Sequence, residues 1–380
     1  MLNLSFATRA FTATLLGFTL LTGCQSDENK PALSIPTQYD STNFTTNTTV
    51  QAAVRSQLAA FVAEAQKGRN IANKLNYNTL TQLYNAGSPS LKSITTPYYA
   101  AKVDGTGQWL DMMSKASGNN YTPAPPTANS VGGVYGGYLF DANGLEIEQM
   151  IDKGLYGATL YNHAITLMSQ PLTAATADQL VSIFGASPEF PNTNTASKTQ
   201  NPDRFMALYA ARRDKNDGKG LYTQQKANFI KLQAAIKAGS KYKQEQDEAL
   251  AAIKLTWEKA NAATIINYCH AVISTMSSTN PTDAQKGAAL HAYGEAVGFI
   301  HGWRTLPQQH KRITDSQIDA ILTLLNAPAN GTPTSYKFIT EPVSELPKLN
   351  QIITQLKGIY GFTDAEIEDF KNNWVALQGR

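Results

Sequence analysis

The sequence predicts an all-α fold: a single large, bundle-like domain of many helices, interrupted by two long loops. Three observations carry the prediction. Apolar residues recur at three- and four-residue spacing along most of the chain, the period of a helix with one face in a core. Three Thr-x-x-Gln or Thr-x-x-Glu capping boxes mark helix starts in the C-terminal third. No run of period-two alternation is long enough to propose a sheet, and no short-period repeat points to a solenoid. A chain of 380 residues, 42% hydrophobic and 16% charged, buries a sizeable core without staples, and its composition excludes a disordered or collagen-like protein. The formal charge of +3 comes with no basic cluster, which excludes the electrostatic footprint of a nucleic-acid binder.

The first 23 residues hold Arg9, an apolar run from Ala10 to Leu21 and then small residues. This is the pattern of a secretory signal peptide, too short for a stable bilayer span. The run ends in Leu21-Thr22-Gly23-Cys24, which matches the bacterial lipobox. The expectation is removal of residues 1–23, lipidation of Cys24 and attachment to a membrane by several acyl chains, which anchor stably where one would not. Gln25-Ser26 after the cysteine, in place of Asp, matches outer-membrane sorting, so the expected location is the outer membrane. Residues 24–47 are polar, contain prolines and lack periodicity; they read as a lipidated tether to an all-α body over 48–380. Acylation of Cys24 leaves Cys269 alone, and its helical setting predicts a buried core thiol.

Within the body, Val54, Leu58, Phe61, Val62 and Ala65 define a helix over 50–67, with Gly68 at its stop. Similar patterning predicts helices over 79–86, 108–115, 145–168, 174–184, 203–213 and 223–238, and the longest from Lys243 to about Met276. The capping boxes Thr282/Gln285, Thr314/Gln317 and Thr363/Glu366 start three more. After the last of them, Ile367, Phe370, Trp374 and Leu377 define a closing amphipathic helix. The loop over 117–143 carries Pro123, Pro125 and Pro126, then a Gly-rich run containing Tyr135 and Tyr138. These tyrosines form a candidate binding loop for a glycan or partner, or pack inward as an Ω-like loop. The second loop, 187–202, reads as a surface connection, and Asp214 to Gly218 as a turn that lacks the spacing of a calcium loop.

Candidate chemistry lies on two helices. On a wheel of the helix from Asp283 to about Arg304, His291, Glu295 and His301 share one face with Gly287, Gly294, Gly298 and Gly302. So many interior glycines, each costing about 0.5–1 kcal/mol relative to Ala, need a reason. Either a neighbouring helix packs closely there, or the face lines a cleft. A second polar stripe, Glu148, Asp152, Tyr156, Thr159 and His163, runs along 145–168. It is either a solvated face or the complement of the first. Together His291, Glu295, His301, Glu148, Asp152 and His163 would suit a divalent metal or iron, although the spacing is not H-E-x-x-H. No Gly-x-Ser-x-Gly elbow, P-loop or dinucleotide fingerprint supports a common enzyme class.

The run from His291 to Arg304, His-Ala-Tyr-Gly-Glu-Ala-Val-Gly-Phe-Ile-His-Gly-Trp-Arg, resembles a segment of bacterial lipoproteins grouped as the domain of unknown function numbered 4856. Trp257-Glu258-Lys-Ala-Asn261 and the stretch from Glu148 to Leu155 are similar to that family too, and the resemblance extends from about Pro36 to the end. It implies a helical fold and an envelope location rather than a reaction. A looser likeness links the chain to imelysin-like proteins, helical bodies associated with iron uptake that carry Gly-x-His-x-x-Glu. Here His291 precedes Glu295 by four residues with Gly294 between them, so no metal ligand is carried over. The leading expectation is a non-enzymatic, lipid-anchored envelope protein that binds a ligand or metal, aiding nutrient or iron acquisition beside an outer-membrane uptake receptor. The alternatives are a hydrolase-like enzyme using the same carboxylates and histidines, and a glycan- or partner-binding surface protein.

Overall fold

All three capping boxes in the C-terminal third are made. The Thr282 hydroxyl accepts the Gln285 amide at 3.3 Å while the Gln285 side chain accepts the Thr282 amide at 2.8 Å. Thr314 with Gln317 and Thr363 with Glu366 repeat the exchange. Each pair satisfies amides that the first helical turn leaves without partners. The computed structural model describes residues 30–380. The signal peptide, the lipobox and Cys24 therefore lie outside the described residues.

In chain order the helices are α1 (Thr49–Gln66), α2 (Tyr77–Asn85), α3 (Pro97–Val103) and α4 (Trp109–Ala116), followed by strands β1 (Gly133–Tyr135) and β2 (Tyr138–Phe140). Next come α5 (Ile147–Leu155), a π-helical stretch (Tyr156–Tyr161), α6 (Asn162–Met168), α7 (Ala174–Phe184), α8 (Phe205–Arg213) and α9 (Leu221–Ala238). Then follow α10 (Lys243–Met276), α11 (Asp283–His301), α12 (Asp315–Leu324) and α13 (Pro342–Tyr360), with short helices before, between and after the numbered ones. The fold is all-α, as its helical periodicity predicts. Among the described residues no helix is long and apolar enough to cross a membrane.

The 34-residue α10 is the axis of the core, with α8, α9, α11 and α13 packed along it. Trp257 of α10 is buried between the rings of Tyr161 and Phe184, at centroid distances of 5.2 and 4.9 Å. Cys269 is buried on the same helix, and burial pushes its thiol up to about 12. It is the inert core thiol expected of its setting.

Four differences from the sequence reading have physical causes. The loop over 117–143 contains an antiparallel hairpin, Val134 pairing with Leu139, around Gly136-Gly137. Its strands have three residues each, too few for alternation to show, and both turn glycines have positive φ, as a two-residue hairpin turn demands. Helix α13 escapes the periodicity reading because Pro342 and Pro347 interrupt the sequence, yet its face of Leu349, Ile352, Ile353 and Leu356 is core. The closing helix is two short ones, Asp364–Asp369 and Trp374–Leu377, and Leu377 is exposed. The body begins before residue 48, since the compact unit starts at Leu33. Tyr39 is buried with its hydroxyl 2.6 Å from Asp178, and Asn47 donates to the same carboxylate at 2.7 Å. The last part of the expected tether is thus docked.

Candidate functional site

The glycine face of α11 is a packing face. A Cβ on Gly298 would fall 2.7 Å from the Gln149 carbonyl oxygen, and one on Gly287 would fall 2.8 Å from Gly136 Cα at the hairpin tip. Helix α5 therefore lies directly on α11, backbone against backbone, and every residue of α5 is buried. The solvated-face reading of the second stripe is overturned: Glu148 is 1% exposed and Asp152 3%.

Burying carboxylates requires cations and hydrogen-bond donors beside them. Arg69, just beyond α1, supplies one cation: its guanidinium lies 2.5 Å from Glu148 and 3.1 Å from Glu146. Lys153 supplies another, 2.5 Å from Asp152 and 3.3 Å from Glu295. Glu295 also accepts the Tyr209 hydroxyl at 3.3 Å. His291 Nδ1 stands 2.7 Å from Glu146, with the Tyr138 ring stacked on the imidazole at 4.3 Å and Arg69 over the same tyrosine at 5.2 Å. The hairpin tyrosines are half-buried against the body, Tyr138 stacked on His291, while the Tyr135 hydroxyl donates at the surface to Asp283 at 2.9 Å.

Electrostatics within the cluster follow from burial and sign. Burial, then the neighbouring Glu146 charge, pushes Glu148 up to about 7. Burial works against ionised Glu295 as well, but Lys153 and His291 outweigh it and hold the carboxyl below its usual range. His291 is pulled down by burial and raised further by Glu146, so its net shift is upward. One network thus holds a carboxyl and an imidazole that both bind their protons more tightly than when free.

The six candidate ligands do not form one centre. Glu148, Asp152, Glu295 and His291 belong to the cluster, but His163 sits apart, 3.4 Å from the Gln51 side chain. His301 faces Tyr98, Tyr99 and Trp109 instead. Among the described residues no group of three or more His, Cys, Asp or Glu is placed to hold a metal ion. Arg69 and Lys153 stand between the paired carboxylates, where a metal would otherwise sit. Arg69 lies on neither helix that pointed to the site, Lys153 lies on α5 but outside its polar stripe, and Glu146 precedes that helix, so the stripe and the wheel could not reveal them. A local cue was present in Glu146 and Lys153, charged residues immediately flanking the stripe.

A second feature lies at the far end of α11. A cavity of about 350 Å³ is walled by Trp109, Met112, Leu145, Ile147 and Met150 on one side and by the 327–333 loop on the other. His301, 2% exposed, is part of the wall; its Nε2 lies 3.0 Å from the Tyr98 hydroxyl, and its buried Nδ1 has no partner in the protein. Asp141 and Lys102 add polar groups. Mostly apolar walls with a few convergent polar atoms characterise a small-molecule site. Compared with protein-family models, curated proteins and solved structures, the chain matches none.

Proposed function

We propose that this is a lipid-anchored cell-envelope protein whose helical body binds a small molecule without transforming it. The proposed role is nutrient acquisition at the outer membrane, beside an uptake receptor. The observation that carries the binding role is the unpartnered, buried His301 nitrogen at the wall of a largely apolar cavity. The lipobox ending in Cys24 and the resemblance of the His291–Arg304 run to envelope lipoproteins support the location. A divalent metal or iron as cargo has less support, because Arg69 and Lys153 already neutralise the buried carboxylates. Hydrolysis has less support for a related reason: the cluster's carboxylates are committed to Arg69, Lys153 and His291.

Two measurements test this. Labelled palmitate should enter the wild-type protein and fail to enter Cys24→Ser; equal labelling of both overturns the anchor. Thermal unfolding of the purified protein against a panel of small metabolites should reveal stabilising compounds whose effect is lost in His301→Phe. Equal effects on wild type and variant, or none on either, overturn binding in this cavity.

A further inference from the structure

We infer that Asn330 is a self-modifying site: the main-chain nitrogen of Gly331 displaces its side-chain amide, leaving aspartate or isoaspartate on the 327–333 loop that walls the cavity.

Asn-Gly occurs twice in the chain, at Asn143-Gly144 and Asn330-Gly331, and alanine precedes both pairs. The glycine offers a main-chain nitrogen that no neighbouring side chain shields, on a backbone free to turn towards the asparagine. The reaction needs water alone. The Gly331 nitrogen bonds to Asn330 Cγ and gives up its proton as the side-chain nitrogen departs as ammonia, which closes a five-membered imide. Water then opens one of the two C–N bonds of that ring: cleavage at Cγ gives aspartate, and cleavage at the main-chain carbonyl gives isoaspartate.

The fold separates two sites that the local sequence makes alike. Asn143 is wrapped around the buried Asp141 carboxylate: its backbone amide donates to Oδ1 at 2.9 Å and its side-chain amide to Oδ2 at 3.4 Å. Its own carbonyl accepts the Tyr336 amide at 3.0 Å. Gly144 is buried, and a Cβ there would fall 2.8 Å from the Tyr336 nitrogen, so the reacting groups cannot swing together without unpacking the loop. Asn330, Gly331 and Thr332, by contrast, are exposed in succession, and the Asn330 side chain makes no hydrogen bond among the described residues. The Gly331 amide is held by a bond of 3.2 Å to the Pro328 carbonyl, within the same short turn.

What conversion does follows from how the loop is tied. The Asn326 carbonyl accepts the Thr334 amide at 2.8 Å, and the Ala329 carbonyl accepts Lys102 Nζ at 3.2 Å and the Tyr98 hydroxyl at 3.3 Å. Ala329, Gly331 and Thr332 line the cavity. Isoaspartate lengthens the main chain inside this closed span by one carbon, and the loop loosens over the cavity.

Peptide mass spectrometry of the full-length protein, aged at mildly alkaline pH both natively and in urea, reads the site through a mass gain of about 1 Da. In the native protein Asn330 should convert at least about tenfold faster than Asn143, which must wait for local opening of its loop. In urea, where the shared Ala-Asn-Gly sequence alone acts, the two rates should converge. Conversion of Asn143 as fast as Asn330 in the native protein, or an intact Asn330 where both convert in urea, overturns the inference. Aged wild type should also exchange the amide hydrogens of 327–333 faster than fresh wild type, whereas Asn330→Gln should exchange alike before and after ageing. Equal exchange in converted and fresh wild type overturns the loosening of the loop.

Discussion

Gly302 and Gly154 meet backbone to backbone: a Cβ on Gly302 would lie 2.1 Å from the Gly154 carbonyl oxygen. The obstruction is main chain, which no side-chain rotation relieves. Gly302→Ala should therefore destabilise the protein by at least about 2 kcal/mol, despite the better helix propensity of Ala. Gly358, inside α13, has open space around its Cβ position, and Gly358→Ala should stabilise by about 0.5–1 kcal/mol. Urea unfolding of both variants checks the pair, and a common sign would remove close packing as the reason for the α11 glycines.

Arg69 neutralises two buried carboxylates at once. Truncation leaves Glu146 and Glu148 facing each other without the guanidinium they share, so Arg69→Met should cost about 3 kcal/mol. Adding Glu148→Gln to Arg69→Met should recover part of the loss, since it removes one of the stranded charges. Strict additivity of the two substitutions in a denaturant-unfolding cycle would show that the cation does not act through Glu148.

Burial of Cys269 predicts chemical silence. Its thiol, pushed up to about 12 inside α10, should resist Ellman's reagent in the native protein and react promptly in denaturant. Labelling of the native Cys24→Ser protein, in which Cys269 is the remaining cysteine, at the rate of a free thiol would contradict the packing around α10.

Local chemistry made much of the fold legible. The capping boxes and the span of α10 are encoded within a few residues of where they act. The wheel of α11 correctly grouped the glycines with His291 and Glu295, because side chains on one face meet one neighbour. It misled over His301, which shares the face but stands ten residues from His291, about 15 Å along the axis, and so reaches a different neighbourhood. Arg69 and Lys102 were not legible because each meets its partners across the tertiary fold, Arg69 across 79 positions and Lys102 across 227. Periodicity sees one helix at a time.

Two buried groups titrate in opposition, and their effects on stability should be separable. Glu148, about 7 in the fold against 4.5 when free, binds its proton more tightly in the native state. Its contribution is present below about pH 4.5 and lost as pH rises through 7, roughly 3 kcal/mol over the span and shared with the rest of the cluster. The upward shift of His291 acts in the same direction, its contribution being lost as pH climbs above the ordinary imidazole value. His301, about 3 in the fold against 6.5 when free, does the reverse: the unfolded chain takes up its proton first, so stability falls as pH drops from 6.5 towards 3. Between pH 4.5 and 6.5 the Glu148 and His301 effects oppose, and the wild type should vary less than either variant. Glu148→Gln should become more stable with rising pH across that window, and His301→Phe less stable. Urea denaturation at half-unit pH intervals reads all three slopes. Variant slopes indistinguishable from the wild type would show that neither group carries the buried proton balance assigned to it.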